Sequence, residues 1–473
     1  MSFSRFTRSL PRRFGVVLSS FLQQPGLAFA GALPEERIQA AFDAEGVAFA
    51  QEEDEIYTPP LALWAFLSQM LFKGEQRSCV AAVARVVVLL ASLGQKPPSG
   101  NTGAYCRARA KLPESVIRRL ACGVADGCER ALPKEWLWHG RHVKLADGST
   151  SSMPDTPENQ AEYPQSTAQA PGLGFPLMRF VVLLSLASGM LSDMACGPYA
   201  GKETGELALL RELISRLDAN DILLADRYYC SYFMLCLLQE AKVDVVTRLH
   251  QTRDADFRRG TRLGAGDHVV SWFRPDKPSW MNQATYDQMP ESIQVREVEV
   301  RVKEPGFRSE SLVVVTTLID PRLYTRDDLA ELYHRRWLVE LDIRAIKDTL
   351  GMDILRCKTP EMVRREMWTC LLGYNLIRQT ILNSARQGGI SPRQISFTAA
   401  MQKIAAGLIP VLLIEDAALA DLVAAHLHDL PRHKIGHRPN RMEPRANKRR
   451  PKMHKLLTKP RNEARAELLA GKA

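Results

Sequence analysis

The chain lacks several features that would assign it to a common class of protein. Its nine cysteines form no CxxC pair and have no paired histidine spacing, so neither a zinc site nor a disulfide framework is expected. No run of 18 or more apolar residues is present, which argues against a membrane-spanning helix and a membrane partner. The N-terminus superficially resembles a secretory signal, but Gln23, Gln24 and Pro25 end its apolar run early. These absences favour a protein of a reducing cytosol.

Positive charge is abundant, but it is unevenly distributed. The 473 residues carry a net charge of +10, and residues 431–473 alone hold 14 Lys and Arg against 3 Glu. The other 430 residues therefore sum to −1. Because prolines also interrupt this segment, we expect a disordered tail that either binds an anionic partner or serves solubility. The chain is also too long for one core, which predicts two to four domains.

One stretch, TRDDLAELYHRRWLVELDIRAIKDTLG, predicts a single helix from an N-cap at Thr325 to a stop at Gly351. At about 100° per residue its apolar side chains share one face: Leu332, Val339, Ile343, Ile346 and Leu350. A second stripe beside it contains Tyr333, Arg336, Glu340 and Lys347. Taken alone, this stripe is typical of a solvated face with helical ion pairs such as Arg336–Glu340.

The spacing Y-x2-R-x3-E-x6-K resembles the signature helix of the IS-four family of bacterial insertion-sequence transposases, which are relatives of the Tn-five transposase. The resemblance implies an RNase H-like fold and an Asp, Asp, Glu triad that binds Mg²⁺ or Mn²⁺, with Glu340 as the third acid. It also implies that Tyr333, Arg336 and Lys347 bind the DNA at the transposon end.

Two aspartates lie where the family would place the other acids. HVKLADGST predicts a short strand that ends at Asp147, with a turn at Gly148, and DILLADRYY predicts a buried strand that ends at Asp226. Asp147 is also typical of an Asp-Gly turn, and Asp226 of an N-cap for the next helix. The windows DGS, ADR and the helix signature occur in the family's order, so the resemblance implies that Asp147, Asp226 and Glu340 are catalytic metal ligands.

The remaining patterns predict an α/β protein with an RNase H-like core and a mixed sheet. We expect the following order: a helical DNA-binding domain in residues 1–135, the first part of the core in 136–250, a β-rich insertion in 251–324, the catalytic helix and C-terminal helices in 325–430, and the basic tail in 431–473. VREVEVRV and SLVVVTTLI are the strands expected in the insertion.

A basic cluster in the helical domain has two interpretations, DNA-backbone binding or the solvated surface of a helical bundle. It contains Arg107, Arg109, Lys111, Arg118 and Arg119. Composition favours neither interpretation, and the family resemblance favours DNA. In the insertion, Trp272 and Trp280 are candidates for stacking on a flipped base, although core packing is the preferred prediction for each.

The resemblance implies a transposase that binds terminal inverted repeats and moves an insertion sequence by cut-and-paste through a hairpin intermediate. Its implied partners are double-stranded DNA at transposon ends and targets, and a second copy of the chain in a synaptic complex. Its implied location is the bacterial cytoplasm, at the nucleoid. Two alternatives remain: an RNase H-like nuclease that does not transpose, and a non-catalytic DNA-binding descendant.

Overall fold

The computed structural model describes residues 7–50, 52, 55–301, 311–436 and 455–470. The chain divides into two compact units. Unit 1 comprises Met1–Val143, Val182–Met194 and Leu338–Ile435. Unit 2 comprises Lys144–Val181, Ala195–Trp337 and Gly436–Ala473.

The first described elements are mostly helices, and two of the six α-helices start at a side-chain cap. The six are α1 (Gly15–Ser20), α2 (Glu35–Ala44), α3 (Pro59–Met70), α4 (Cys79–Ser92), α5 (Gly103–Ala110) and α6 (Glu114–Arg130). Thr58 caps α3 ahead of its two prolines, and Ser78 caps α4. Because α3 is apolar on all sides, it is buried along almost its whole length.

From residue 143 the chain alternates between strands and helices. The elements are β1 (Val143–Ser152), α7 (Pro157–Glu162), β2 (Leu177–Ser185), β3 (Leu191–Pro198), α8 (Glu206–Leu213), β4 (Ile222–Leu224), α9 (Tyr232–Glu240), β5 (Asp244–Arg248), β6 (Thr261–Gly264), β7 (Asp267–Phe273), α10 (Gln283–Gln288), β8 (Ser292–Arg301) and β9 (Ser311–Thr316). These strands form one nine-stranded sheet in the order β3-β2-β1-β4-β5-β9-β8-β7-β6. The predicted α/β class with a mixed sheet is confirmed.

The strands expected in the insertion continue the central sheet. β4 and β5 pair in parallel, and β9 then pairs with β5 in antiparallel register, with Thr316 opposite Val246. β8 pairs with β9, β7 with β8 and β6 with β7, all antiparallel. Both predicted insertion strands are confirmed as β8 and β9. β6 and β7 were not predicted.

The stretch predicted as one uniform helix is a helical run of three types. It comprises α11 (Arg326–His334), a 3₁₀ turn (Arg335–Trp337), α12 (Leu338–Arg344) and a π-helical segment (Ala345–Thr349). The predicted single helical run is confirmed, but its turns are not all α-helical. The 3₁₀ turn is wound more tightly than an α-helix and the π-helical segment more loosely, so their effects on the directions of the side chains offset each other. All five residues of the apolar stripe therefore remain buried. The predicted ends are confirmed, since Thr325 and Asp328 form a capping box and Gly351 has φ +72°.

Unit 1 is built around one long helix, α13 (Pro360–Gly388), which is followed by α14 (Phe397–Gly407) and α15 (Asp416–Asp429). α13 packs against α3, α6, α14 and α15. Its polar side chains bond to backbone groups elsewhere in the unit. The Asn375 amide donates to the carbonyls of Ala121 and Leu191, and Asn383 accepts from the Phe29 amide. These bonds satisfy polar groups that would be costly to bury alone.

The basic tail contains a nine-residue helix, α16 (Arg461–Leu469). The prediction of disorder was therefore wrong for these residues, because Arg, Ala, Glu and Leu are strong helix formers. For residues 437–454 and 471–473, the same prediction lies outside the described residues. Within the described part of the chain, no helix is both long and apolar enough to cross a membrane.

Candidate active site

Asp147 lies inside a strand rather than at its end. β1 continues to Ser152, so the prediction of a turn at Gly148 was wrong. Close packing, rather than a turn, accounts for the glycine at position 148. A Cβ atom on Gly148 would lie 2.3 Å from the carboxyl carbon of Glu206, so a larger residue would fit only if the Glu206 side chain moved. The Asp-Gly pair therefore reflects close packing beside the Asp147 carboxylate, whose Oδ1 accepts from the Gly148 amide at 2.8 Å.

Asp226 follows the strand next to β1 in the sheet. It lies two residues beyond β4, where it caps a 3₁₀ turn by accepting from the Tyr228 amide at 2.7 Å. Asp226 therefore caps this short turn and not the next α-helix, α9, which Ser231 caps. The bond to the Tyr228 amide leaves a second carboxylate oxygen for other ligands. Neighbouring strands therefore carry the two predicted aspartates.

The Asp147 carboxyl has an unusual proton affinity. Burial raises its pKa to about 6, opposed by the Gly148 amide and by Arg336, and the negative charges of Asp226 and Glu206 raise it further. A carboxylate in this state gains most from a nearby cation, because the cation offsets both the burial and the repulsion.

Two residues of the signature helix reach this carboxylate cluster within unit 2. Arg336 places Nη1 3.8 Å from Asp147 Oδ2, and both side chains are about four-fifths buried. Burial raises the pKa of Tyr333 to about 12, with smaller effects from Arg336, which lowers it, and Asp226, which raises it. Asp147 and Arg336 therefore lie close together, and Tyr333 lies near enough to Arg336 and Asp226 for their charges to affect its pKa. The catalytic and DNA-binding roles that the resemblance implies for these residues stay predictions.

Sequence reasoning missed Glu206, at the start of α8. Its Oε2 accepts from the Tyr229 hydroxyl at 3.1 Å, and burial raises its pKa, with a further increase from Asp226. A glutamate in the first turn of a helix is common because it suits the helix dipole. The sequence therefore contained no signal that separated Glu206 from an ordinary helix start.

Glu340 and Lys347 belong to unit 1, on the continuation of the same helical run. Glu340 is exposed and Lys347 is half-buried. Their meeting with the two aspartates remains a prediction. Within the part of the chain that the structure describes, no three His, Cys, Asp or Glu side chains are grouped closely enough to hold a metal ion.

The aromatic candidates of the insertion are engaged in packing. Trp272 is buried in a core cluster with residues of α9, and its Nε1 donates to Glu297 Oε1 at 2.9 Å. Trp280 is half-buried against Phe233, and the Arg211 guanidinium lies 3.9 Å from the centre of its ring. The preference for core packing is confirmed for Trp272, and Trp280 packs against the edge of the same cluster.

Asp147→Asn should stabilise the metal-free protein at neutral pH. The folded state holds the Asp147 proton more tightly than the unfolded state, so the contribution of Asp147 to stability is greatest below about pH 4 and falls as pH rises through about 6. Asparagine carries no charge, and its advantage at pH 7.5 should approach about 3 kcal/mol. Urea unfolding in EDTA at pH 4.5 and 7.5 measures this. Mn²⁺ should reverse the order by stabilising only the wild type, and a wild type more stable than the variant at pH 7.5 in EDTA would contradict this account of Asp147.

Comparison with known proteins identifies the family to which this chain belongs. The family model described as "Transposase DDE domain" matches residues 138–376, half of the chain, including both aspartates and the whole signature helix. The chain belongs to this family of DDE-domain transposases. It is therefore an enzyme that cuts and transfers DNA strands, and the resemblance to IS-four transposases is confirmed.

Two relatives of this transposase come from Escherichia coli (strain K12). Transposase InsG for insertion sequence element IS4 is 28% identical over 361 residues, which cover 74% of this chain and 76% of the relative. Putative transposase InsZ is 30% identical over 140 residues, which cover 29% of this chain and 45% of the relative. A cryo-EM structure of the piggyBac transposase synaptic complex with hairpin DNA covers 87% of this chain and 85% of its own, with 9% identity and a TM-score of 0.42. That structural similarity is too low to support an argument about this transposase.

Proposed function

We propose that this transposase excises its element by cut-and-paste, with Asp147, Asp226 and Glu340 as the catalytic acids of an RNase H-like core. The order of β1 to β5, with two helices between the last three strands, supports that core. So does the strand order β3-β2-β1-β4-β5 with a parallel β4–β5 pair. The observation that carries the proposal is that Asp147 lies in β1 and pairs with Arg336 of the signature helix, while Asp226 follows the neighbouring strand β4 and its charge affects Asp147.

The side chains present fit a hard divalent cation in ligand type and in charge. Asp147 and Asp226 supply carboxylate oxygens, and burial, with smaller contributions from the charges of Asp226 and Glu206, raises the pKa of Asp147 to about 6. Mg²⁺ is commonly held by one or two carboxylates, water and substrate phosphate oxygens, so two aspartates, Glu340 and DNA form a plausible set. When bound, the ions activate the attacking oxygen and stabilise the leaving oxygen.

The remaining chemistry is the positioning of DNA. Water attacks the phosphate at the 3′ end of the element, forming a new P–O bond as the bond to the 3′ oxygen breaks. The released 3′-OH then attacks the phosphate of the opposite strand, forming the hairpin as the bond to the 3′ oxygen of the flanking DNA breaks. Water opens the hairpin and releases the 3′-OH of the element again, and this 3′-OH attacks a target phosphate as the bond to the target's own 3′ oxygen breaks. In these steps Arg336 and Lys347 hold phosphate oxygens, and the Tyr333 hydroxyl donates a hydrogen bond to one of them.

The long distance between the Arg336 guanidinium and the Asp147 carboxylate suits a role for Arg336 in holding DNA. At 3.8 Å the two groups attract each other without a close hydrogen bond. A phosphate oxygen that enters the cluster can therefore capture the guanidinium, which prefers bidentate contact with phosphate. In this proposal the arginine restrains Asp147 before DNA binds and holds DNA afterwards.

Binding of the transposon end is assigned to the helical region 1–135 and to the basic tail. Of the predicted basic cluster, Arg109 is engaged inside the protein, where it donates to Gln69 and lies over the Phe66 ring. Arg118 pairs with Asp193, and Arg119 with Glu45. Arg107 and Lys111 are exposed and are the better candidates for phosphate contacts. We place the enzyme at the bacterial nucleoid, as a homodimer that holds two ends.

Cleavage of a labelled end duplex separates transposition from simple nuclease activity. The duplex carries an inverted repeat that flanks the reading frame, and the products are resolved on a denaturing gel. In Mg²⁺ the wild type should first nick the 3′ end and then convert the nicked duplex to a hairpin that runs at twice the strand length. Nicks without any hairpin, from a protein that binds the end, would favour the RNase H-like nuclease, and no cleavage at all would favour the non-catalytic descendant.

A further inference from the structure

A buried carboxylate lies two residues after Glu340 on α12. Asp342 has 0% of its surface exposed, whereas Glu340 is exposed. Two residues correspond to roughly 200° around a helix, so these carboxylates point to nearly opposite sides. Glu340, the candidate catalytic acid, thus lies on one side of α12, and the buried Asp342 carboxylate lies on the other side, inside unit 1.

Two arginines bind Asp342 from outside the helix. Arg378 Nη2, from α13, donates to Asp342 Oδ1. Arg393 Nη1 donates to both carboxylate oxygens, at 2.8 and 2.7 Å. The carboxylate is therefore held by donors from two separate segments, which restrains its direction as well as its position.

The same arginines bind the turn between β2 and β3. Arg393 donates to the carbonyls of Ser185 and Leu186, with Nε 2.7 Å from the latter. Arg378 Nε donates to the Tyr374 hydroxyl, which donates to the Gly189 carbonyl at 2.8 Å. Asp342 is thus connected through both arginines to one rigid turn.

The turn packs closely against both arginines at Gly189. A Cβ atom on Gly189 would lie 2.8 Å from Arg378 Cζ and 2.9 Å from Arg393 Nη1, and the residue has φ +76°. The turn is also tied to the first residue of β1, because the Leu186 amide donates to the Val143 carbonyl at 2.8 Å. Asp147 lies four residues further along that strand.

The helix needs such an anchor because its own geometry is not uniform. α12 has only seven residues, between a 3₁₀ turn and a π-helical segment. The direction of Glu340 therefore depends on where the helix is fixed, since rotation by one residue would turn it by about 100°. Buried ion pairs add little net stability compared with apolar packing, and their best-supported use is to fix register.

We infer that Asp342 is a positioning residue which, through Arg378 and Arg393, fixes the rotation of α12 so that Glu340 faces the reacting phosphate. The inference rests on the proposed role of Glu340 as a catalytic acid. Asp342 itself contacts neither DNA nor metal, and its effect passes through the helix.

Arg393→Lys is the first test variant, because it keeps a positive charge near Asp342 but removes the bidentate contact and the bonds to the turn. Asp342→Asn is the second, because it keeps the size of the side chain and removes its charge. The matched control is Asp193→Asn in the same unit. Asp193 is also a buried carboxylate with a two-pronged arginine partner, Arg118, but it lies on β3.

Each purified full-length variant is measured for thermal midpoint, end-duplex binding, the rise in thermal midpoint caused by Mn²⁺, and cleavage at increasing Mn²⁺. Arg393→Lys and Asp342→Asn should stay folded and bind DNA. They should need roughly 10–100 times more Mn²⁺ for half-maximal stabilisation and cleavage, as is typical when a group that orients a ligand is lost. Asp193→Asn should keep the wild-type Mn²⁺ dependence even if its thermal midpoint falls.

Two outcomes overturn the inference. The first is that Arg393→Lys or Asp342→Asn folds and shows the wild-type Mn²⁺ dependence. The second is that both variants lose the folded state, which would mean that the network serves stability alone. Glu340→Ala, run in parallel, separates this failure from a failure of the proposed function. If Glu340→Ala is inactive while the network variants keep wild-type Mn²⁺ dependence, only the inference about Asp342 fails. If Glu340→Ala cleaves normally, the proposed function fails.

Discussion

Asp147→Ala, Asp226→Ala and Glu340→Ala should each reduce cleavage of the transposon end by at least about 10³-fold, equivalent to roughly 4 kcal/mol of transition-state stabilisation. Each carboxylate is expected to ligate a cation that the reaction requires, and alanine offers no substitute ligand. DNA binding should change little, because these acids repel phosphate in the absence of metal. Single-turnover cleavage and a binding assay in Ca²⁺ measure the two effects separately.

A matched control for Glu340 lies on the same helical run. Asp348 is exposed and forms an i,i+4 pair with Arg344, so Asp348→Ala removes an acid of the same surface that the account leaves out of the chemistry. It should cleave at nearly the wild-type rate. If any of the three acid variants behaved like Asp348→Ala in Mg²⁺, that residue would not be a metal ligand.

Arg336→Ala and Lys347→Ala should weaken end binding or hairpin formation by roughly 10- to 150-fold each, through loss of charge-assisted phosphate contacts worth about 1.5–3 kcal/mol. Arg336→Lys should recover only part of the loss, because an ammonium cannot make the bidentate contact. The nicked and hairpin products on a denaturing gel, measured beside end affinity, show which step each residue supports.

Arg344→Ala is the control for these two variants. The Arg344 side chain is largely exposed, and it pairs with Asp348 at 3.4 Å. Its loss should leave both binding and the hairpin fraction within about twofold of wild type, as expected for an exposed ion pair. Equal effects of Arg344→Ala and Arg336→Ala would mean that the general positive charge of the helix, rather than a defined phosphate contact, explains the result.

Local patterns in the sequence were sufficient to predict much of the central sheet. LMRFVVLLSL is a strand because an apolar run of this length with branched residues is buried on both faces, and ILLA before Asp226 follows the same rule. β6 and β7 escaped prediction because TRLG and DHVVSWF are short and mix exposed with buried positions. Their position in the sheet depends on pairing with β8, which local periodicity does not contain.

Contacts between distant residues explain what could not be predicted about the site. The Asp-Gly pair at 147–148 favours a turn locally, but both residues lie inside β1, where Glu206, nearly 60 residues later, packs against Gly148. Asp342 resembles a solvated helix charge until Arg378 and Arg393 are seen to bind it. The stripe containing Tyr333 and Arg336 was predictable because helical spacing alone places these residues on one face.

The most direct test of the central claim is a metal exchange at the scissile phosphate. An end duplex with sulfur in place of the leaving 3′ oxygen is cleaved in Mg²⁺ and in Mn²⁺, and the ratio of the two rates is compared with that of the unmodified duplex. Mn²⁺ accepts sulfur ligands better than Mg²⁺, so a cation held by the acids at the leaving atom predicts a much higher Mn²⁺-to-Mg²⁺ ratio for the sulfur substrate. The same ratio for both substrates, from an active wild-type enzyme, would contradict the account.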